Sequence, residues 1–344
     1  MNQQNRNQKC DMIVDLQFGS TGKGLIAGFL AEKEGYEAVI TCNMPNAGHT
    51  YIDGQGRKFI HKVLPNGIVS PNLKYIMIGP GAVFNPERMI KELFEAEDLL
   101  GVELSSKLMI HPAATILLPE HSFLERQTLS GISSTMQGSM AAMVDKMQRK
   151  PLVNSPVAGA SSDDRVKPFV CTHQEWMEAL NDAKSILAEG SQGFSLGINS
   201  RFYPYTTSRD CTPARFLSDM GIPHGMLRHI IGTARTFPIR VGNTADGYSG
   251  TCYEDQVETS WEDLGQTPEL TTVTQRIRRV FTFSMEQIKE ACYYCCPDLL
   301  FVNFVNYMEK DEYEKLIKDI EAQTGVKVAY LGHGPTFHDV EHRP

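Results

Sequence analysis

The chain reads as an α/β protein: a single large domain on a mostly parallel central sheet, with inserted segments and a phosphate-loop-like first turn. Three observations predict this. An apolar run, Cys10 to Leu16, ends in Gln17-Phe18-Gly19 and is followed by a helical pattern and a second apolar run. That order is a strand, glycine turn, helix, strand unit, whose default is a parallel sheet with a right-handed crossover. Similar units recur to the C-terminus. The 344 residues, 41% hydrophobic and 22% charged, suffice for a large core.

The elements follow in order. Residues 1–9 (MNQQNRNQK) are polar, lack the apolar stretch of a secretory signal, and read as a disordered leader, with the folded domain over 10–344. Cys10–Leu16 reads as a buried strand. Over Gly22–Glu34, Leu25, Ile26, Phe29 and Leu30 share one helical face. Ala38–Cys42 is a second strand and Lys74–Ile78 a third. Pro86–Leu100 is a helix with proline in its first turn, where the missing N–H costs nothing. Lys184–Ala188 is a strand and His229–Thr236 is β-rich. Met285–Tyr293 is helical, Leu299–Val305 a strand, Asp311–Gln323 a helix and Val326–Leu331 a last strand. The insertions fall around 112–170 and 240–275, and Asn154–Asp164 (NSPVAGASSDD) is the candidate mobile loop.

Charge and cysteines narrow the function. A net charge of −8 argues against a duplex-DNA binder, which needs a basic face, but not against small anions. The longest apolar runs are far short of the roughly 18–20 residues that span a bilayer. Eight cysteines show no repeated pair. Cys292-x-x-Cys295 lacks the second pair a zinc site wants, so ordinary thiols in a cytosolic protein are the reading.

Five local features carry chemistry. The first is Gly19-Ser20-Thr21-Gly22-Lys23-Gly24, between the first strand and the first helix. Glycines and a helix N-terminus admit a phosphate, and Lys23 adds a point charge. It is no Walker A: only two residues separate Gly19 from Gly22, and Gly24 stands where Ser or Thr would bind Mg²⁺. A plain glycine turn is the bland alternative. The second is Asn46-Ala47-Gly48-His49-Thr50 after the second strand, at the carboxyl end of the sheet where ligands bind. The third is Ser133-Ser134-Thr135-Met136-Gln137-Gly138 with Arg149 downstream, a phosphate holder or a helix cap. The fourth is Glu189-Gly190-Ser191-Gln192-Gly193 with Tyr203-Pro204-Tyr205-Thr206-Thr207-Ser208. The fifth, Thr271-Thr272-Val273-Thr274-Gln275-Arg276-Ile277-Arg278-Arg279, suits a carboxylate-bearing substrate, or is a solvated basic face.

Together these resemble the adenylosuccinate synthetases, from about residue 10 to 340. That family's signature, Gln-Trp-Gly-Asp-Glu-Gly-Lys-Gly, stands here as Gln17-Phe18-Gly19-Ser20-Thr21-Gly22-Lys23-Gly24. Asn-Ala-Gly-His-Thr is intact at 46–50, and His61-Lys62-Val63-Leu64-Pro65-Asn66-Gly67-Ile68 is similar to its His-x-x-Pro-Ser-Gly-Ile segment. Matches continue at 189–193, 203–208 and 271–279, and Gly334-Pro335 resembles the nucleotide-base loop.

The resemblance implies the adenylosuccinate synthetase fold. It also implies a ligase that phosphorylates a purine 6-oxygen with a nucleoside triphosphate and then lets L-aspartate displace phosphate. Ser20, Lys23, His49 and Gln192 would be catalytic. The purine monophosphate would meet Ser20, Thr21, Gly22, Lys23, Asn46, Ala47, Gly48, His49, Ser134, Thr135, Gln192, Thr207 and Arg276, with Arg149 contributed by the other subunit of a homodimer. ATP would meet Gly19 through Leu25, Gly48, His49, Thr50, Arg278, Asn303, Asn306, Gly332, Gly334 and Pro335. Aspartate would meet Thr271, Thr272, Val273, Thr274, Arg276 and Arg278. Mg²⁺ would be ligated by Ser20 and the Gly48 carbonyl.

Departures from the family refine this. Its loop Asp, the proton acceptor and a metal ligand, is Ser20 here, and its Glu is Thr21; Met136 and Gln137 replace Gly and Arg. A small hydroxyl leaves room for the 2-amino group of guanine. That pattern resembles a bacteriophage branch, the 2-aminoadenylosuccinate synthetases, which take dGMP, aspartate and ATP toward diaminopurine for DNA. The Lys-x-Asp step that reads GTP is not evident in Val302–Asn306, which favours ATP. An ordinary synthetase using IMP and GTP, and a non-catalytic nucleotide-binding paralogue, stay open. Nucleic acid and membrane are not expected partners.

Overall fold

The computed structural model describes residues 8–271 and 275–343. In chain order it runs β1 (Cys10–Asp15), α1 (Lys23–Glu34), β2 (Ala38–Thr41), β3 (His49–Ile52), β4 (Lys58–His61), β5 (Tyr75–Ile78), β6 (Val83–Phe84), α2 (Pro86–Leu100), β7 (Leu108–Ile110) and β8 (Thr115–Ile116). Next come α3 (Pro119–Thr128), α4 (Ser139–Met147), α5 (His173–Asp182), β9 (Ile186–Glu189), α6 (Pro213–Asp219), β10 (Leu227–Arg235), β11 (Ile239–Arg240), β12 (Glu258–Thr259) and β13 (Arg279–Phe281). The chain closes with α7 (Met285–Cys295), β14 (Leu299–Asn303), α8 (Lys310–Thr324), β15 (Lys327–Gly332) and β16 (Val340–His342).

Nine strands form one sheet in the order β16-β15-β14-β10-β1-β9-β2-β5-β7. Every pairing in it is parallel except β15 with β16. The central strands are buried on both faces, and their side chains alternate between two cores. Ile13, Val39, Ile76, Ile78 and Phe301 point into one core, with residues of α1 and α2. Met12, Val14, Ala38, Ile40, Met77, Leu300 and Val302 point into the other, with residues of α5, α6, α7 and α8. Two covered faces are what a parallel sheet requires. The α/β class and the mostly parallel sheet therefore stand as the sequence predicts.

Some expectations need correction. Val326–Leu331 is not the last strand: β16 adds to the edge antiparallel to β15. The strand begun at Leu299 stops at Asn303, because Phe304 takes a left-handed φ of 62° that no strand continues through. The leader does not extend to Lys9. Lys9 is buried, and its ammonium donates to the Ala183 carbonyl and, at 3.0 Å, to the Asn181 carbonyl. Residues 1–7 lie outside the described residues. Within the Asn154–Asp164 stretch, Pro156 O accepts from Ile116 N at 2.7 Å, Ala158 N donates to Ala114 O at 2.8 Å, and Ala158 is buried. The strands of the first unit, β1 and β2, are not neighbours, since β9 inserts between them. This brings the loops after β1, β9 and β2 side by side at one edge of the sheet.

Helix α1 owes its place to small residues. It is buried along Lys23–Ala31, and the β3–β4 hairpin packs on it. A Cβ on Gly28 would lie 2.3 Å from the Tyr51 ring, and one on Gly24 2.4 Å from the Asn66 amide nitrogen. Both positions need glycine for close approach.

Candidate active site

The central parallel strands end in polar side chains: Asp15 on β1, Thr41 on β2, Glu189 on β9, Arg235 on β10 and Asn303 on β14. Ahead of these positions β2, β9 and β14 are apolar, while β1 also carries Asp11 and β10 Arg228, His229 and Thr233. These polar ends lie along the carboxyl edge of the sheet, where open parallel sheets bind ligands.

The loop after β1 is wound tightly. Gly19 and Gly22 have φ of 93°, and Ser20 has φ of 57°. Gly22 sits against Asn303, whose amide nitrogen would be 2.1 Å from a Cβ there. Asp15 organises the loop from beneath. Its Oδ1 accepts from Gln17 N at 2.9 Å and Gly19 N at 3.2 Å. Its Oδ2 accepts from Thr21 Oγ1 at 2.6 Å and Lys23 Nζ at 2.9 Å. Lys23 also donates to the Gln192 carbonyl at 2.7 Å, and Gln192 has φ of 64°. The loops after β1 and β9 thus share one ammonium.

His49 opens β3 beside this loop. Its Nδ1 lies 2.5 Å from Glu189 Oε1, and both residues are buried. A carboxylate only accepts, so the Nδ1 of His49 carries the proton and Nε2 is left for other chemistry. The second Glu189 oxygen accepts from Asn66 N at 2.7 Å. The Asn66 side-chain amide is buried without a partner, as are the side chain of Asn43 and Asn46 Oδ1. Asn46 Nδ2 reaches Thr207 Oγ1 at 3.4 Å. Buried amides with spare capacity mark a place built for a polar guest.

Across the crevice, Arg278 donates through Nη1 to Ser20 Oγ and through Nε to Leu270 O at 3.2 Å. Burial lowers its pKa to about 10, with Glu269 opposing and Arg235 adding to the shift, so it remains a cation at neutral pH. Glu269 bridges the two arginines: Arg235 Nη1 donates to it at 3.1 Å, and Arg278 Nε lies 4.0 Å away. Burial pushes Glu269 up, but Arg235 and then Arg278 hold it below the usual carboxylate range. Arg235 Nη1 also donates to the Ser20 carbonyl at 3.2 Å. The loop bearing Arg278 is closed by Thr271, whose N donates to Arg276 O at 2.8 Å and whose Oγ1 accepts from Arg276 N at 3.0 Å. Thr272, Val273 and Thr274 lie outside the described residues.

The remaining candidates divide. Ser134 Oγ accepts from Met136 N at 3.1 Å, and the carbonyl of Thr135 from Gln137 Nε2 at 2.9 Å, within a loop whose Ser133 and Met136 have positive φ. Arg149 is exposed just past α4. Leu25 sends its side chain into the core, which leaves only its backbone for a ligand. Asn303 is spent on structure: it donates to Thr21 O at 3.4 Å, accepts from Phe304 N at 2.8 Å and crowds Gly332. The buried Arg235 guanidinium lies 3.9 Å from the Phe304 ring centroid, Asn306 is exposed past β14, and Gly334 and Pro335 are half-buried and exposed past β15. Ala47 is buried, Gly48 half-buried and Thr50 exposed beside His49. Among the described residues, no three His, Cys, Asp or Glu gather to hold a metal ion, and no helix is long and apolar enough to cross a membrane.

Asp15, Arg235 and Glu269 are not among the sequence candidates, and Asn66 and Glu189 appear there only within motifs. The signal for Glu189 is readable: a charged residue closing an otherwise apolar parallel strand, whereas Asp15 and Arg235 close strands that also carry Asp11 and Arg228. Glu269 has no comparable local mark.

Comparison with known proteins bears on the whole chain. The family model for adenylosuccinate synthetase matches residues 12–157 and 153–312. An N6-succino-2-amino-2'-deoxyadenylate synthase of Vibrio phage phiVC8 is 56% identical over 97% of this chain and 98% of its own length. An adenylosuccinate synthetase of Methanocaldococcus jannaschii is 30% identical over 96% of this chain and 95% of its own. A solved structure of the cyanophage S-2L succinoaminodeoxyadenylate synthetase, bound to dGMP and dATP as an energy donor, superposes with a TM-score of 0.90. It is 38% identical and covers 98% of this chain and 96% of that one.

Proposed function

The chain belongs to the adenylosuccinate synthetase family of C–N-forming ligases, and we propose that it joins L-aspartate to C6 of dGMP at the expense of ATP. The products are N6-succino-2-amino-2'-deoxyadenylate, ADP and phosphate, on the way to diaminopurine for DNA. The observation that carries this reading is the full-length likeness to phage synthases, 56% for the Vibrio phage protein, in a chain whose loop holds Ser20.

The chemistry has two displacements. The guanine 6-oxygen attacks the γ-phosphorus of ATP, ADP leaves, and the N1 proton is lost. The aspartate amine then attacks C6, the C–O bond breaks, phosphate departs and the amine loses a proton. Oxygen at C6 becomes a workable leaving group only as a phosphate ester, and both steps rest on charge neutralisation. Lys23 and the loop amides beyond Gly19, whose own N–H is spent on Asp15, hold the transferred phosphoryl group. His49, oriented by Glu189, stabilises charge developing at the 6-position. Gln192 orients the purine edge, and Asn46, Ser134, Thr135 and Thr207 take the 5'-phosphate. Arg276, Arg278 and the Thr271–Thr274 loop take aspartate.

Ser20 has two roles in this reading. It leaves space at the guanine 2-amino edge, and its hydroxyl holds Arg278 toward the crevice. The donor set does not suit a resident Mg²⁺. The Ser20 hydroxyl is engaged, Asp15 already accepts four hydrogen bonds, and Gly48 offers one carbonyl. Mg²⁺ therefore belongs to the substrate, as Mg–ATP. ATP rather than GTP fits a base site with Phe304 and Asn306 and no carboxylate in Val302–Asn306. The S-2L protein, bound to dATP as an energy donor, supports an adenine donor.

A homodimer completes the site through Arg149. Exposed apolar side chains on α3, α4 and the turn beyond, Phe123, Val144, Met147, Leu152 and Val153, support an interface there. The test is phosphate release with aspartate and Mg²⁺, crossing dGMP or IMP with ATP or GTP. Release with dGMP, strongest with ATP, is expected. Preference for IMP and GTP would return the chain to ordinary adenine synthesis. No release with any pair would leave a non-catalytic nucleotide binder.

A further inference from the structure

Asp15 lies before the signature loop, at the last position of β1, and no role above uses it. It is the carboxylate nearest the loop from which two acids are missing, Ser20 and Thr21 standing where the family signature has Asp and Glu. Its side chain is 0% exposed and that of Lys23 3% exposed, so this is a buried ion pair. One oxygen takes two backbone N–H groups of the loop, and the other takes the Thr21 hydroxyl and the Lys23 ammonium. Thr21 is held in turn by Thr233 Oγ1 on β10 at 2.5 Å.

We propose that Asp15 is a positioning residue for the phosphoryl-binding ammonium of Lys23. A buried ammonium without a counter-ion is costly, and a flexible lysine stem would otherwise carry the charge to water. Asp15 neutralises Lys23 before any ligand arrives and fixes it in a cradle whose backbone it also shapes. Two of the three ammonium N–H groups are spent, on Asp15 and on the Gln192 carbonyl. The third is left for the ligand. Because the same ammonium holds Gln192 in its left-handed turn, Asp15 couples the phosphoryl loop to the loop that reads the purine. Preorganised charge of this kind lowers the ordering cost of binding.

The inference rests on the reading of Lys23 as the phosphoryl cation, and its test separates the two. ATP binding, with Mg²⁺, is measured by titration calorimetry on the full chain, on Asp15→Asn, on Lys23→Ala and on the double variant, with thermal melts of each. Asparagine is isosteric and keeps the Oδ1 acceptor for the loop amides, but it turns an NH₂ toward Lys23. Asp15→Asn is expected to weaken ATP about 10- to 100-fold, the range of a lost charged hydrogen bond. On the Lys23→Ala background it is expected to weaken ATP less than about 2-fold, because partners that act together are non-additive. Losses that multiply would show that Asp15 shapes the loop independently of Lys23, and would overturn the proposal. So would an Asp15→Asn variant that binds ATP as the parent does, or one that fails to fold where Lys23→Ala folds. If Lys23→Ala itself binds ATP undiminished, the assignment of Lys23 fails, and this inference falls with it.

Discussion

In the proposed reading, Ser20 bears on two substrates. Its hydroxyl accepts from Arg278, and its carbonyl from Arg235. A carboxylate in its place would turn a hydrogen bond from the Arg278 cation to a neutral hydroxyl into an ion pair, a stronger contact. It would also compete with the aspartate carboxylate for the same guanidinium and crowd the guanine 2-amino edge. Ser20→Asp is therefore expected to raise KM for aspartate about 10-fold, equivalent to ~1.4 kcal/mol, and to depress turnover of dGMP. Initial rates against each substrate separate the two effects. A raised dGMP KM with aspartate untouched would leave only the steric account, and an unchanged aspartate KM would remove Arg278 from the explanation.

At the scale of elements, the sequence shows where chain segments are buried better than it shows which of them touch. The bounds of α2 were legible to the residue, because Asn85 caps it, Pro86 starts it and Gly101 ends it in the left-handed conformation. The loops that carry the site were legible because glycines and polar runs interrupt apolar strands. The insertion of β9 between β1 and β2 was not legible, since nothing local to β1 or β2 encodes a strand some 150 residues away. The same limit hid the Glu189–His49 pair, whose members lie 140 residues apart in the chain. Gly28 illustrates the point. Read locally it is a weak residue in a helix, and alanine there should gain about 1 kcal/mol. In the fold, a Cβ at Gly28 would lie 2.3–2.5 Å from three atoms of the fully buried Tyr51 ring. Overpacking of that kind costs about 1–3 kcal/mol. Tyr51 also donates to Glu32 on the same helix at 2.7 Å, so it has little freedom to retreat. Gly28→Ala is expected to lower the chemical-denaturation stability by ~1 kcal/mol net and to displace the β3–β4 hairpin with His49. A variant more stable than the parent would show that Tyr51 moves freely.

For the whole molecule, the question is whether one chain holds a complete site. Within a chain the crevice gathers Lys23, His49, Gln192 and Arg278 through hydrogen bonds among β1, β3, β9 and the 269–278 loop. Arg149 stands apart, exposed beyond α4, next to Leu152 and Val153, which are 70% and 87% exposed. Large apolar side chains so exposed beside a cation suit an isologous contact, in which a two-fold axis brings each copy's Arg149 to the other's crevice. This arrangement has a consequence that a monomer cannot imitate. Arg149→Ala and Lys23→Ala should each be nearly inactive alone. In a hybrid dimer, the Arg149→Ala chain keeps its own Lys23 and receives Arg149 from its partner, so one of the two sites is intact. Random exchange of equal amounts makes about half the dimers hybrids, and activity should recover to about a quarter of the parent's. Sedimentation of the mixture checks that the chains associate. Recovery near a quarter places Arg149 across the interface. Dimers that form without recovery would assign Arg149 to its own chain, and the apolar surface to assembly alone.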